Sequence, residues 1–145
     1  KVTAGATLTI PAGTKLYFSN KAAIDVHGTL RCEGTADNPV TLRGDRLDWM
    51  FSYLPYDRVS GQWRGIHFHK DSYDNVLMYT DLHSAYDGIV CDSSNTGQQK
   101  LLLANSTVHN CQGYGLQAVS STVEAYNTQF SNTLMDCASL VVRQR

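Results

Sequence analysis

Asp81, His83 and His109 are the residues whose types and spacing in this sequence are best suited to chemistry. Asp81 and His83 lie two residues apart, and His109 occupies the position of His83 in a later repeat of the chain. A carboxylate beside two imidazoles can transfer protons or bind a metal ion. A solvated row of polar side chains has the same pattern without a function. These three residues are therefore our catalytic candidates, and the sequence assigns them no metal.

Two further groups of polar residues extend this candidate site. His67 and His69 alternate with apolar neighbours, so we expect both imidazoles to face solvent. Near Arg64 and Lys70, four acids occur within 17 residues: Asp71, Asp74, Asp81 and Asp87. Such acids could bind calcium, but the spacing D-x-[DN]-x-[DN]-G of a calcium loop is absent, and so is any D-D or D-x-D pair. We expect no cofactor, with calcium as the alternative.

A segment rich in aromatic residues forms a second candidate site. Residues 43–63 interrupt the repeat described below and hold five of the 14 aromatic residues of the chain. Flat rings with polar edges suit the stacking of sugars, and insertions in repeat proteins often form the binding surface. The rings could instead fold back and cover the side of the domain. The glycan-binding candidates are Trp49, Tyr53, Tyr56 and Trp63.

An internal repeat indicates how these residues are positioned. The segment 104–110 recurs at 126–132, a step of 22 residues that repeats both of its asparagines. An upstream segment aligns at a step of 26, which pairs Leu82 with Val108 and therefore His83 with the histidine that follows Val108. A fixed period in this range is typical of solenoid proteins.

The local pattern of the repeats indicates β-strands. Short alternating runs such as TLTI and AIDV are separated by Gly, Pro and Asn, and near the start a step of 22 pairs Leu8 with Leu30 and Phe18 with Val40. No segment has helical periodicity over a dozen residues. We predict an all-β, right-handed parallel β-helix of about 22 residues per coil, as a single domain over residues 1–145. Because neither end has a polar cap, we expect it to be a fragment of a longer β-helix.

The recurring asparagines have a structural explanation in this fold. Asn tolerates left-handed backbone at a turn, and its amide can hydrogen-bond to an equivalent Asn in the next coil. We predict two such ladders, Asn105 with Asn127 and Asn110 with Asn132.

The four cysteines are too widely spaced for a metal site of the CxxC type. They are Cys32, Cys91, Cys111 and Cys137. We expect them to pack in the core, and a disulfide between Cys111 and Cys137 is the alternative.

Composition and charge exclude two classes of partner. Charged residues make up 17% of the chain, below the usual share of about 25%. The formal charge is -1, and no run of Lys or Arg could follow a phosphate backbone, so we expect no nucleic acid. No apolar stretch reaches the roughly 18 residues of a membrane span.

The segment 26–42, VHGTLRCEGTADNPVTL, contains the patterns V-x-G-x-L, G-T and N-P-V-x-L. It resembles the right-handed parallel β-helix proteins of the pectin-lyase-like class, and the following segment 43–68 resembles secreted or surface-lipoprotein members from Bacteroides-type bacteria. The resemblance covers nearly the whole chain and implies the same fold. The wider class includes polysaccharide lyases, glycoside hydrolases and adhesins. For this subgroup the resemblance implies no established catalytic residue.

These observations predict a non-enzymatic β-helix segment of a bacterial cell-envelope or secreted protein, a rigid scaffold with a carbohydrate-binding face. One alternative is a polysaccharide lyase or glycoside hydrolase, and another is an adhesin that binds a protein. The expected partners are a polysaccharide or a cell-envelope protein. The expected location is extracytoplasmic, with a lipid anchor in the full-length protein.

Overall fold

The computed structural model describes residues 1–46, 49–51, 54–55, 59–93, 97–135 and 137–141, of which 49–51, 54–55 and 141 are described by their backbone alone. The described chain is an all-β parallel solenoid of about five coils and contains no helix. The predicted fold class is therefore confirmed. It follows that, over these ranges, the chain has no helix that is long and apolar enough to cross a membrane.

Each coil contributes three strands, and the second coil also contains a hairpin. The strands are β1 (Thr7–Pro11), β2 (Lys15–Phe18), β3 (Ala23–Val26), β4 (Thr29–Glu33), β5 (Val40–Gly44), β6 (Trp49–Phe51), β7 (Leu54–Pro55), β8 (Gly65–Phe68), β9 (Asn75–Met78), β10 (Thr80–His83), β11 (Ile89–Cys91), β12 (Gln99–Ala104), β13 (Thr107–His109), β14 (Leu116–Val119), β15 (Thr122–Tyr126), β16 (Gln129–Ser131) and β17 (Ala138–Val141). β6 and β7 form the antiparallel hairpin.

Equivalent strands of successive coils pair in parallel and form three sheets. Sheet I has the order β1-β4-β9-β12-β15, sheet II β2-β5-β10-β13-β16, and sheet III β3-β8-β11-β14-β17. Because side chains alternate along a strand, each sheet sends one set of residues into the solenoid and the other set to its outer face.

Columns of apolar side chains fill the interior. In sheet II the column is Leu16, Leu42, Leu82, Val108 and Phe130. In sheet III it is Ile24, Ile66, Ile89 and Leu116. Burying one such side chain fully contributes on the order of 2 kcal/mol, so each coil is stabilised by the coils stacked on it.

The register confirms most of the repeat alignment and corrects one part of it. Val108 pairs with Phe130 at a step of 22, and Leu82 with Val108 at a step of 26, as predicted. The pairing of Phe18 with Val40 is wrong, because the step from β2 to β5 is 26 and places Phe18 beside Gly44. The coils therefore differ in length, and a step of about 26 describes the middle of the solenoid better than 22.

Left-handed residues bound the strands of sheet II. They precede the strands at Tyr79, Asn105 and Asn127, with φ of 46°, 51° and 45°, and follow them at Ser84, Asn110 and Asn132, with φ of 66°, 53° and 51°. Nδ2 of Asn127 donates a hydrogen bond to Oδ1 of Asn105 at 3.1 Å, which confirms the first predicted ladder. The second pair shares the left-handed turn that the prediction required.

The cysteines are free thiols, three of them buried in the core and Cys137 exposed. Core packing is thus confirmed for the three, and the alternative disulfide between Cys111 and Cys137 is wrong. Burial raises the pKa of each core thiol to about 12: Cys32, Cys91 and Cys111.

The chain re-enters the core at the end of the aromatic insertion. Only 1% of Trp63 is exposed, and its ring stacks on Phe18 with the centroids 4.2 Å apart. Its Nε1 donates a hydrogen bond to the backbone carbonyl of His83 at 2.9 Å. The backbone amides of Gly61 and Gln62 donate to carbonyls just beyond β10, so this returning segment lies along the end of that strand.

Candidate functional site

Asp81, His83 and His109 come together on the outer face of sheet II, and we call them the sheet II cluster. Asp81 and His83 lie on β10 on either side of inward Leu82, and His109 is the register partner of His83 on β13. Oδ1 of Asp81 accepts hydrogen bonds from Nδ1 of His83 at 3.1 Å and Nε2 of His109 at 2.8 Å. The two rings stack with their centroids 4.6 Å apart. The predicted proximity of the three residues is confirmed.

The polar side chains of the sheet II cluster are hydrogen-bonded to one another and to Asn110. The His83 side chain is 5% exposed, and both ring nitrogens of His109 have protein partners, since Nδ1 lies 2.5 Å from Oδ1 of Asn110. Burial raises the pKa of Asp81, but the hydrogen bonds from His109 and His83 outweigh it, so the pKa lies well below its ordinary value. Asp81 is therefore a charged acceptor that joins two coils.

A second group of these residue types lies on the outer face of sheet III. Asp25 on β3 is the register partner of His67 on β8, and His69 follows His67 by two residues. Asp25, His67 and His69 each place one potential ligand atom within 4.8 Å of the others. We call these three residues the sheet III cluster. The outward orientation of both histidines was predicted from the sequence, whereas their approach to Asp25 was not.

The imidazoles around the sheet III cluster form a stack. The ring centroids of His67 and His69 are 3.9 Å apart, and His27 also stacks on His69 at 4.1 Å. Nε2 of His69 donates a hydrogen bond to Oδ1 of Asp25 at 2.9 Å. This bond lowers the pKa of Asp25 below its ordinary value, against the opposite effect of partial burial. Nδ1 of His27 donates to Oδ1 of Asp71 at 3.0 Å.

Asp92 approaches the same rings from the end of β11. Its Oδ1 lies 2.9 Å from Nε2 of His67, and its Oδ2 lies 3.7 Å from Nδ1 of His69. The Nε2 atom of His67 is itself buried, yet within the described part of the chain it has no partner in hydrogen-bonding geometry. Three imidazoles and three carboxylates thus share this face, since Asp25 and Asp71 complete the set.

A buried lysine supports the turn after β8. The pairing of β12 with β15 shifts between Gln99 and Leu101, and the residue between them, Lys100, is fully buried. Its Nζ donates hydrogen bonds to the carbonyls of His69 at 2.5 Å and Ser72 at 3.0 Å. Burial lowers the pKa of Lys100. The lysine therefore fixes the backbone from which His69 projects.

A groove of about 640 Å³ runs along the same face of the solenoid. Its floor contains one outward residue from each of four successive coils: Asp25, His67, Val90 and Gln117. Its other lining residues include Lys21, Arg64, Tyr86 and Asp87. Neighbouring strands are about 4.8 Å apart, so this floor is about 14 Å long from first to fourth coil.

A glycine shapes the wall of this groove. Gly65 has a φ of 86°, and a Cβ at this position would lie 1.9 Å from the carbonyl oxygen of Asp87. Only glycine allows these two neighbouring coils to approach so closely.

The four acids between residues 71 and 87 do not share one site. Asp71 contacts His27 beside sheet III, whereas Asp81 lies on sheet II. Asp74 accepts a hydrogen bond from Gln98, and Asp87 accepts one from the backbone amide of Tyr114. The four acids therefore do not converge on one groove.

The glycan-binding candidates of the insertion have different outcomes. Trp63 is buried against Phe18, so this ring follows the alternative in which the insertion covers the core. Trp49 lies in β6, where the structure describes the backbone alone. Tyr53 and Tyr56 lie outside the described residues.

No protein-family model, curated protein or solved structure matches this chain. The sequence signal for the sheet III cluster is a D-x-H motif at 25–27 that stacks on an H-x-H motif at 67–69.

Proposed function

We propose that this protein is a non-enzymatic β-solenoid scaffold whose sheet III groove binds a carbohydrate polymer. The supporting observation is the groove itself, which follows the solenoid axis and takes hydrogen-bonding side chains from several coils. An extended chain of sugar rings suits such a groove, because its hydroxyls need many donors and acceptors along one line. The motifs in segment 26–42 support a relationship to the pectin-lyase-like class and, with it, an extracytoplasmic location.

The groove offers contacts to both parts of a sugar ring. Tyr86 is 53% exposed at the groove and presents a flat apolar face on which a ring can stack. Lys21 and Arg64 supply cations for a uronate carboxylate, while Asp87 and Gln117 supply acceptors for hydroxyls. We therefore expect the groove to bind acidic or neutral glycans rather than a compact small molecule.

Binding without cleavage is favoured over lyase or hydrolase activity. The lyase or hydrolase hypothesis placed its catalytic groups in the sheet II cluster or among the acids at 71–87. The sheet II cluster lies on a different sheet from the groove, and its carboxylate already accepts two hydrogen bonds. The acids do not converge.

The test is calorimetric titration of the purified protein with acidic and neutral oligosaccharides, combined with an assay for released fragments. We expect binding without fragments, and Tyr86→Ala should weaken it about tenfold, the equivalent of about 1.4 kcal/mol. Tyr126→Ala is the matched control, because Tyr126 is 57% exposed but lies on sheet I. Fragments in the wild-type reaction, or equal effects of the two variants, would contradict the proposal.

A further inference from the structure

We propose that Asp25, His67 and His69 bind a divalent transition-metal ion of the zinc class on the outer face of sheet III. This inference goes beyond glycan binding and does not depend on it. The three residues provide two imidazole nitrogens and one carboxylate oxygen in a small space. Zinc is commonly held by three protein ligands of these types, with water or another ligand in the fourth position.

The donor set selects the class of ion. Imidazole suits zinc, copper and nickel, whereas calcium takes six to eight oxygen ligands and magnesium prefers oxygen in an octahedron. Two imidazoles among three ligands therefore favour a zinc-class ion over calcium.

Rigid strands bring the ligands together before any ion binds. Asp25 and His67 are held side by side by the pairing of β3 with β8, and the Lys100 bonds fix the backbone of His69. Nε2 of His69 donates its proton in a hydrogen bond to Oδ1 of Asp25 at 2.9 Å. A bound ion would replace that proton and hold both atoms as ligands, because metal binding requires the deprotonated donors.

A carboxylate beside the rings supplies a second observation at the same place. Nε2 of His67 is buried and lies close to a carboxylate oxygen of Asp92 without forming a hydrogen bond with any described residue. Asp92 also faces Nδ1 of His69, so it can orient both rings in the way that carboxylates orient metal-bound histidines.

Charge and access favour a cation at this position. The carboxylates of Asp25, Asp71 and Asp92 lie beside the rings, Lys70 lines the same pocket, and Lys100 contacts the turn beneath them. The side chain of Asp25 is 46% exposed and that of His69 is 25% exposed, so an ion can enter from solvent. These three carboxylates raise the local concentration of cations at the cluster, whereas Lys21 and Arg64 line the rest of the groove.

The experiment is calorimetric titration of chelator-treated protein with zinc chloride, without any glycan present. We expect one ion per chain. His67→Gln should lower the zinc affinity at least about tenfold, because removing even a residue that only supports a metal ligand has an effect of this size. His109→Gln is the matched control from the sheet II cluster and should leave the affinity unchanged. Visible absorption of the cobalt-substituted protein should report nitrogen and oxygen ligands, and it should be lost in the same variant.

Several results would overturn the proposal. These are the absence of zinc binding in the wild type, equal affinity in His67→Gln, or loss of binding in His109→Gln alone. Circular dichroism will show whether His67→Gln folds. If it does not, Asp25→Asn replaces it, because Asp25 is partly exposed and the nearly isosteric substitution removes a ligand with little effect on packing. Unchanged zinc affinity in that folded variant would also refute the site.

Discussion

The sheet II and sheet III clusters contain the same two residue types but differ in how fully their side chains are hydrogen-bonded and buried. Each has one aspartate and two stacked imidazoles. In the sheet II cluster, one carboxylate oxygen accepts both imidazole hydrogen bonds and His83 is buried. In the sheet III cluster, the groups are partly exposed and one buried ring nitrogen lacks a hydrogen bond to the described residues. Residue types alone therefore do not define a ligand site; unused bonding capacity and access do.

The difference has a local cause in each sheet. Beside sheet II, the segment ending at Trp63 returns along the end of β10 and bonds to the backbone of His83. Beside sheet III, the turn after β8 is held from inside by Lys100, which leaves its outer side open. The sheet II cluster is therefore partly covered, whereas the sheet III cluster is accessible from solvent.

The largest effect is expected from removing the indole ring of Trp63, which is hydrogen-bonded to the backbone of the sheet II cluster. Trp63→Ala should lower the free energy of unfolding by about 3–5 kcal/mol, because it leaves a cavity against Phe18 and removes the hydrogen bond to His83. Urea denaturation will measure the loss, and the rate of chemical modification of His83 should rise. Trp63→Phe keeps most of the packing and should cost less. A loss below about 1 kcal/mol in Trp63→Ala would show that the closure does not depend on this ring.

Paired substitutions in the two clusters should give unequal effects. Asp81→Asn should destabilise the protein by about 1–3 kcal/mol, because it removes a charged acceptor shared by two imidazoles, one of them buried. Asp25→Asn should lower the free energy of unfolding of the metal-free protein by less than about 1 kcal/mol, because Asp25 and its partner His69 are both partly exposed. Both values come from the same urea experiment. Equal losses would remove the distinction between the clusters.

Acid should act on the sheet II cluster through Asp81. An unfolded aspartate has a pKa of about 3.9, and the folded pKa of Asp81 is lower. Its contribution to stability is therefore complete above about pH 4 and is lost as the pH falls through the folded pKa. From pH 5 to pH 2 the wild type should lose more stability than Asp81→Asn in urea titrations. Parallel curves for the two proteins would refute this assignment.

A small effect is also expected for an exposed bond that belongs to neither cluster. Asn127→Ala removes the ladder hydrogen bond to Asn105 and places Ala in a left-handed turn, so we expect a loss of about 1 kcal/mol. Asn127→Gly keeps the turn and separates the two contributions. An unchanged melting temperature in Asn127→Ala would mean that exposed bonds between coils contribute nothing measurable, which would also lower the value expected for Asp25→Asn.

The sequence predicted the features that depend on an unbroken repeat. The step between segments 104–110 and 126–132 placed the asparagines at equivalent turns, and the step of 26 placed His83 beside His109. Alternation of polar and apolar residues then oriented the side chains, because the strand period is two. The sheet II cluster could therefore be predicted without coordinates.

The sheet III cluster could not be predicted in this way because the insertion separates its strands. Asp25 and His67 are 42 residues apart although they belong to successive coils, and no periodic alignment crosses segment 43–63. The buried position of Lys100 depends on a shift of register, which leaves no signal in a polar-apolar pattern. Likewise, Phe18 was misaligned because a coil four residues longer looks the same locally.

The buried cysteines can report the order in which the coils of this solenoid unfold. Cys32 belongs to the second coil, Cys91 to the third and Cys111 to the fourth, and all three are protected by burial. Repeat proteins can unfold from one end, a few repeats at a time. The order in which these thiols become accessible to an alkylating reagent would therefore show from which end the coils separate, with exposed Cys137 reporting the rate for an unprotected thiol.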